Sequence, residues 1–192
     1  ESFFKVFQIA AAVAPARSPK TILQNIKLDV TADTVILTAT DTEVGVRLTV
    51  PNPEVMNPGK AVVPVSRLSM ILRESNDEFL TINASDDKIL ITGQNSRFEL
   101  QAQNPDEFPE VAYFDDKDFY EVQASVFKEL IKRTLFATDS ESSRYALGGV
   151  LLEMNDDTVI AVGTDGRRLA KMEGGLEKVG SPKPDSATIV PS

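Results

Sequence analysis

Three pairs of neighbouring carboxylates are the residues of this chain whose types and spacing could bind a divalent cation or support acid–base chemistry. Two of the pairs lie in predicted hairpin turns, where Asp is favoured because its side chain bonds to the nearby backbone. No glycine-rich phosphate loop and no activated nucleophile accompanies them, so we predict neither a metal site nor a catalytic site. The pairs are Asp86 with Asp87, Asp139 with Glu141, and Asp156 with Asp157.

The composition disfavours most other enzyme classes. The 192 residues include no histidine and no cysteine, which excludes the commonest general base, thiolate metal sites and disulfides. With 42% hydrophobic residues the chain can build one large or two small cores, and it has no apolar run long enough to cross a bilayer. A net charge of −9 argues against a uniformly basic surface but leaves room for a basic patch. We expect a cytoplasmic protein without a cofactor.

The three carboxylate pairs are positioned by a structural unit that recurs along the chain. Residues 26–49 resemble residues 150–172, and Thr40-Asp41 matches Thr164-Asp165 at an offset of 124, from 164 − 40. Residues 79–101 form a fainter copy. Each copy alternates apolar and polar residues in short runs between turn residues, which predicts antiparallel strands. With a helix before each meander, the sequence predicts an α+β fold of repeated β-α-β-β-β units.

Apolar residues at helical spacing predict those helices. The first contains Phe7, the second Leu68 and the third Leu130, and we expect Ser66 and Ser125 to cap the second and third.

The acidic, proline-containing stretch of residues 104–118 is typical of a connection between domains. We therefore expect one domain in residues 1–115 and part of another in residues 116–192. Because the chain begins at Glu1 without a methionine and ends at Ser192 just after an apolar run, we also expect a fragment.

Two motifs in the third copy are the most specific feature of the chain. They read SRYALGGV at residues 143–150 and GTDGRRLA at residues 163–170. The pair resembles the second domain of the bacterial replicative sliding clamp, the beta subunit of DNA polymerase III, where an Arg-Tyr-x-Leu-x-Gly strand leads to an Ala-Thr-Asp-Gly-His-Arg-Leu-Ala hairpin. Arg167 stands in the place of that histidine. Phe108-Pro109 and residues 62–67 and 95–98 are similar to the family's first domain, so the resemblance covers the whole chain.

The resemblance implies a ring protein that catalyses nothing. In the family, each domain places two helices on the inside of the ring and antiparallel sheets on the outside. Two three-domain subunits close head to tail around duplex DNA and tether the replicative polymerase to it. This chain resembles the first domain, without its opening strand, and the first part of the second, with the third domain absent.

The resemblance also implies DNA contacts from basic residues on the helices and in one loop. Arg17 lies in that loop, where the family carries a basic residue that touches DNA. Such contacts go to the phosphates and read no sequence, as a sliding ring requires. Each helix residue could equally belong to an ordinary solvated face. The expected DNA contacts are Arg17, Lys20, Arg67, Arg73, Lys128, Lys132 and Arg133.

The second motif falls where the family has half of its partner-peptide pocket, which receives a short linear motif from the DNA polymerase III alpha subunit, the clamp loader and repair polymerases. From the residues alone, Asp165-Gly166 could be only a turn, and Leu147 and Leu169 only core. Arg167 puts a permanent charge on the pocket's rim. The expected pocket residues are Leu147, Thr164, Gly166, Arg167, Arg168 and Leu169.

Phe98 and Leu100 lie on the last predicted strand of the first domain. In the family this edge meets the third domain of the other subunit of the homodimer, although strand alternation is equally consistent with ordinary core positions. The main alternative to a clamp is a β-rich protein-interaction module without nucleic-acid binding, which fits the acidic charge better. Salt-dependent retention on DNA would separate the two functions.

Overall fold

Each helix of this protein is followed by an antiparallel meander of three strands. The computed structural model describes residues 2–85, 87–114, 116–141, 144–182 and 187–192. Asp86 of one carboxylate pair, Ser143 of the first motif and Asp115 at the expected domain boundary lie outside the described residues. By its internal contacts the chain divides into one unit of residues 1–112 and a second of residues 113–192.

The first unit combines two helices with two antiparallel sheets in the described part of the chain. In chain order the elements are α1 (Ser2–Val13), β1 (Asn25–Val30), β2 (Val35–Thr40), β3 (Gly45–Thr49), β4 (Gly59–Pro64), α2 (Val65–Glu74), β5 (Thr81–Ala84), β6 (Lys88–Thr92) and β7 (Arg97–Gln101). Strands β1 to β4 form a sheet in the order β3-β2-β1-β4, and β5 to β7 form a sheet in the order β5-β6-β7.

The core of the first unit forms where helix spacing and strand alternation bury the same side of neighbouring elements. Ile26 of β1 and Leu37 of β2 are fully buried, and Phe7 of α1 packs into the same cluster. Leu68 of α2 and Ile89 of β6 belong to the same cluster. Burial of one such side chain contributes about 1.5–3 kcal/mol, so this cluster supplies much of what holds the meanders to the helices.

Among its described residues, the second unit repeats the arrangement with one α-helix. Its elements are β8 (Phe119–Glu121), α3 (Ala124–Thr134), β9 (Gly149–Met154), β10 (Thr158–Thr164), β11 (Leu169–Gly175), β12 (Glu177–Val179) and β13 (Thr188–Pro191). Its larger sheet has the order β11-β10-β9-β13, and β12 pairs with β8. Leu130, Val150 and Val159 form the centre of its core.

The two four-stranded sheets have the same topology. Strands β9, β10, β11 and β13 occupy the places of β1, β2, β3 and β4. The predicted α+β fold of repeated helix-and-meander units is therefore confirmed. None of the helices formed by the described residues has the length and apolar character needed to cross a membrane.

The predicted serine caps are wrong. Pro64 and Gln123 occupy the N-cap positions of α2 and α3, so Ser66 and Ser125 lie inside the first turn. Neither N-cap residue accepts a side-chain hydrogen bond. The reason is that β4 runs directly into α2, with Pro64 extended at φ −68° and ψ 122°, and no residue is left over for a separate serine cap.

Candidate peptide and nucleic-acid interfaces

The candidate peptide site is built around the hairpin of β10 and β11. Thr164, the last residue of β10, pairs with Leu169, the first residue of β11. Residues 165–168 form the loop between them. The Thr164 hydroxyl accepts a hydrogen bond from the Gly166 N–H at 3.1 Å and donates one to the Arg168 carbonyl at 2.7 Å. Gly166 has a φ of +85°, which glycine adopts without steric cost. Thr164 and Gly166 therefore act here by shaping the loop.

Asp165 closes the same loop through its carboxylate. Its Oδ1 accepts hydrogen bonds from the backbone N–H groups of Arg167 and Arg168, both at 2.9 Å, and its Oδ2 accepts one from Arg168 Nε at 3.0 Å. The backbone bonds from Arg168 and Arg167, together with the charge of Arg168, lower the pKa of Asp165. The carboxylate is therefore ionised at neutral pH and holds the Arg168 side chain across the loop.

The loop after β2 in the first unit has the same hydrogen bonds. Thr40 Oγ1 accepts from the Thr42 N–H at 2.9 Å and donates to the Val44 carbonyl at 2.7 Å. Asp41 Oδ1 accepts from the N–H groups of Glu43 and Val44 at 2.9 and 2.7 Å. This hydrogen-bonding pattern depends on the shared Thr-Asp pair, so it identifies a fold feature and not by itself a binding site.

Leu147 and Leu169 lie at the same end of the larger sheet. Leu169 starts β11 beside the loop and is 65% exposed, so its interpretation as core is wrong. Leu147 ends a short 3-10 turn just before β9 and is half-buried. Because β9 and β10 are antiparallel, the start of β9 lies at the end of β10, where the loop begins. The Asp139 N–H donates to the Leu147 carbonyl at 2.8 Å and holds that turn in place.

Phe136 is a neighbour of the loop that the sequence analysis missed. It lies in the 3-10 turn after α3, and its ring centroid is 5.7 Å from the guanidinium carbon of Arg168. Gly163 of β10 permits this approach, because a Cβ at that position would overlap the Thr134 carbonyl oxygen at the end of α3. An aromatic residue after a helix is too common to predict such a contact, and nothing in the sequence links it to Arg168.

In the first unit, the four predicted DNA contacts are all exposed. Arg67 and Arg73 lie on α2, in which Leu68 and Ile71 are buried. Arg17 and Lys20 lie in the loop after α1, where the Lys20 N–H donates to Ser18 Oγ at 3.2 Å. Gln24 Nε2 donates to the Ser18 carbonyl at 3.2 Å, so the loop is tied to the following 3-10 turn.

In the second unit, α3 carries the other three cations on its exposed surface. Lys128 and Lys132 are four residues apart and lie opposite the buried Leu130. Glu129 lies 2.9 Å from Arg133 Nε and 3.9 Å from Lys132 Nζ, and the hydrogen bond from Arg133 is the main reason that its pKa is lowered. This carboxylate is not among the residues predicted from the sequence, although Lys132 and Arg133 follow it by three and four residues. It partly neutralises two of the three cations.

Phe98 and Leu100 face the same side of β7, which is an edge strand of its sheet. They pair with Ile91 and Ile89, both fully buried. Phe98 is 37% exposed, whereas Leu100 packs partly against the core of its unit. Among the described residues β7 pairs only with β6, so the strand combines an unpaired backbone edge with one accessible aromatic side chain.

Asp156 and Asp139, from two of the three carboxylate pairs, have other partners. Asp156 forms an ion pair with Lys178, which lowers its pKa. Asp139 Oδ1 accepts a hydrogen bond from the Glu141 N–H at 3.2 Å. The part of the chain that the structure describes contains no group of three or more metal-ligating acidic side chains.

Comparison with known proteins decides the family. The family model described as DNA polymerase III beta subunit, N-terminal domain, matches residues 1–112, and the model of the central domain of that subunit matches residues 121–192. The chain belongs to the DNA polymerase III beta subunit family. Its beta-subunit match extends through both compact units.

Individual relatives agree with this assignment. The beta sliding clamp of Pseudomonas putida is 34% identical over 171 residues, which cover 88% of this chain and 47% of the relative. The beta sliding clamp of Chlamydia muridarum is 32% identical over 162 residues, which cover 84% of this chain and 44% of the relative. This beta-subunit chain thus spans about half the length of the curated relatives it matches.

Solved structures confirm the predicted sliding-clamp fold. The crystal structure of DNA polymerase III subunit beta from Pseudomonas aeruginosa has a TM-score of 0.83 and 33% identity, with 99% of this chain and 51% of that chain covered. A crystal structure of the sliding clamp from the same organism bound to griselimycin gives the same TM-score, identity and coverage.

Proposed function

We propose that this chain is part of a DNA sliding clamp, which in the whole protein encircles duplex DNA and tethers the replicative polymerase during replication. The observation that carries the proposal is the match of two consecutive beta-subunit domain models to the two units of the chain. Its role is that of a processivity factor without a catalytic site. Because such a protein acts on chromosomal DNA, we propose a cytoplasmic location.

The proposed DNA surface consists of the exposed cations on α2, on α3 and in the loop after α1. Lysine and arginine on one side of a helix can meet phosphates while the other side packs on a sheet. Lys128 contributes most on α3, because Glu129 offsets Lys132 and Arg133. Phosphate contacts are independent of sequence, which suits a ring that slides.

Salt titration of DNA binding tests this surface. We expect weak binding of a labelled duplex, without sequence preference, that falls about ten- to hundredfold between 50 and 200 mM salt if two to four phosphates are contacted. Arg17→Ala should weaken binding and reduce the salt slope by about one, as should Lys128→Ala. Lys88→Ala on β6 is the matched control, because Lys88 is an exposed lysine outside the proposed surface.

No detectable binding of the duplex, even at the lower salt concentration, would favour the interaction-module alternative, which binds no nucleic acid. Binding that is insensitive to salt, or an equal loss of affinity in Arg17→Ala and the Lys88→Ala control, would contradict the proposed DNA surface. A strong preference among duplex sequences would also contradict a sliding function.

We further propose that the β10–β11 hairpin forms half of a pocket for a short linear motif of glutamine followed by apolar residues. Gly166 lets a ligand backbone approach, Leu147 and Leu169 offer apolar surface, and Arg168 offers donors. The partners we propose are the DNA polymerase III alpha subunit, the clamp loader and repair polymerases. That the Pseudomonas aeruginosa clamp has been crystallised with griselimycin supports ligand binding by this family. Because only half of the pocket is formed, we expect a dissociation constant in roughly the high micromolar to millimolar range, which is usual for a small contact area.

Arg167 distinguishes the rim of this proposed pocket. Its side chain is exposed and only its backbone N–H joins the Asp165 network. A permanent positive charge here should favour partner peptides with a carboxylate beside the apolar residues.

We propose that β7 closes the homodimer ring of the whole protein, with Phe98 and Leu100 at the contact. Supporting this are the open edge of β7 and the partial exposure of Phe98. An unpaired strand edge is a template for pairing with another chain.

A further inference from the structure

Arg168 is a long side chain on an exposed loop, yet it has partners on two sides. Its Nε donates to Asp165 Oδ2 at 3.0 Å. Its guanidinium carbon lies 5.7 Å from the centroid of the Phe136 ring, within the distance at which a cation is attracted to an aromatic face. The side chain still remains 59% exposed. It is therefore held in place while most of its donors stay accessible to a ligand.

The backbone that carries Phe136 is fixed by buried and hydrogen-bonded neighbours. Thr134 is fully buried, and its hydroxyl donates to the Leu130 carbonyl at 2.7 Å. Thr138 closes the turn, with its hydroxyl donating to the Leu135 carbonyl at 2.8 Å. Gly163 brings β10 against the same turn. The backbone at Phe136 thus has a defined position relative to the hairpin, and from it the ring reaches Arg168.

The ring itself contributes little to the core. Phe136 is 62% exposed and lines an open cleft together with Lys132, Arg133 and Lys171. Replacing it should leave the fold intact, which makes any effect on Arg168 separable from an effect on stability.

We propose that Phe136 is a positioning residue, whose ring holds the Arg168 guanidinium where it meets a bound peptide. The part of this inference that concerns peptide affinity rests on the proposed peptide pocket. An arginine already ordered by a ring and a carboxylate loses less rotamer freedom on binding than a free one, so the ring raises affinity without touching the peptide.

Ring-current shifts test the positioning without any ligand. In the native chain the Arg168 Nε–H and δ-methylene protons should show NMR shifts displaced by the Phe136 ring. Phe136→Tyr keeps a ring and should keep the displacement, whereas Phe136→Leu should return these shifts toward those of a free arginine. The control is Phe127→Leu, which removes a 39% exposed ring from α3. Unchanged Arg168 shifts in Phe136→Leu would overturn the proposal.

Peptide titration tests the consequence. The probe is a blocked pentapeptide of glutamine, three leucines and phenylalanine, followed through the amides of Leu147, Gly166 and Leu169. We expect Phe136→Leu to weaken binding about two- to fivefold, the change that an exposed cation–π contact supports, and Phe136→Tyr to restore it. In an Arg168→Met background, Phe136→Leu should have no further effect, because the ring acts through the guanidinium.

The outcomes separate this proposal from the peptide site on which it partly rests. If the native chain shows no shifts with the pentapeptide, the proposed pocket is wrong, and the ring-current experiment alone decides whether Phe136 positions Arg168. If Phe136→Leu weakens binding equally in the Arg168→Met background, Phe136 contacts the peptide directly and its positioning role is overturned.

Discussion

At the level of single residues, the two equivalent hairpin loops differ in how they accommodate a left-handed backbone. Thr42 has a φ of +84° and Gly166 a φ of +85°. A β-branched residue meets steric conflict in this region, whereas glycine does not. The first unit therefore tolerates local strain that the second avoids.

This difference predicts the sign of two substitutions. Thr42→Gly should raise the stability of the first unit by roughly 0.5–1 kcal/mol, because the relief of about 1–2 kcal/mol of steric cost exceeds the extra unfolded-state entropy of glycine. Gly166→Ala should lower the stability of the second unit by roughly 1 kcal/mol. Native-state hydrogen exchange at β2 and at β10 would measure each effect. Slower hydrogen exchange at β10 in Gly166→Ala than in the native chain would show that a side chain at position 166 does not strain the loop.

At the level of elements, the packing of α3 on the larger sheet requires glycine at position 163, which has no side chain. The carbonyl oxygen of Thr134, at the end of α3, lies where a Cβ of Gly163 would be, and the Thr138 methyl group is 3.3 Å from the same point. Strand β10 can therefore approach the turn that carries Phe136 only with glycine at this position.

Gly163→Ala should destabilise the second unit by about 1–3 kcal/mol, because the added methyl must displace backbone in a packed region. It should also alter the Arg168 side-chain shifts, since the turn with Phe136 has to move. Gly175→Ala in β11 is the matched control, because a Cβ there meets nothing within 4 Å. Urea unfolding of the three chains measures the difference. Equal stability of the two variants would mean that the close approach of β10 and α3 is dispensable.

At the level of the whole molecule, the composition bears on activity. With no histidine and no cysteine, the chain lacks the commonest general base and the thiol nucleophile, and its described carboxylates do not form a group of three or more that could hold a metal ion. We expect no polymerase, nuclease or nucleotide-hydrolysing turnover above background with Mg²⁺ present. Turnover that copurifies with the chain and is abolished by Asp139→Asn, but not by Lys88→Ala, would show a catalytic site.

The α+β class, the repeated units and the hairpin motifs could all be predicted from the order of the amino acids. Strand alternation around residues such as Ile89 and helical spacing around Leu68 follow directly from backbone geometry, and the Thr-Asp pairs at positions 40 and 164 specify a local loop. Local patterns of this kind involve residues close in the chain, so they can be recognised without knowledge of the tertiary structure. The resemblance of the same motifs to a clamp then indicated the family.

The accessibility of individual side chains and the identity of their partners became clear only from the folded chain. Leu169 is exposed, although its place in the sequence is equally consistent with the core. Phe136 contacts Arg168, which lies 32 residues later in the chain (168 − 136). The helices begin at Val65 and Ala124 because the preceding strand or residue, not a serine, occupies the N-cap. Each of these outcomes depends on how elements distant in sequence pack together, and no local periodicity encodes that packing.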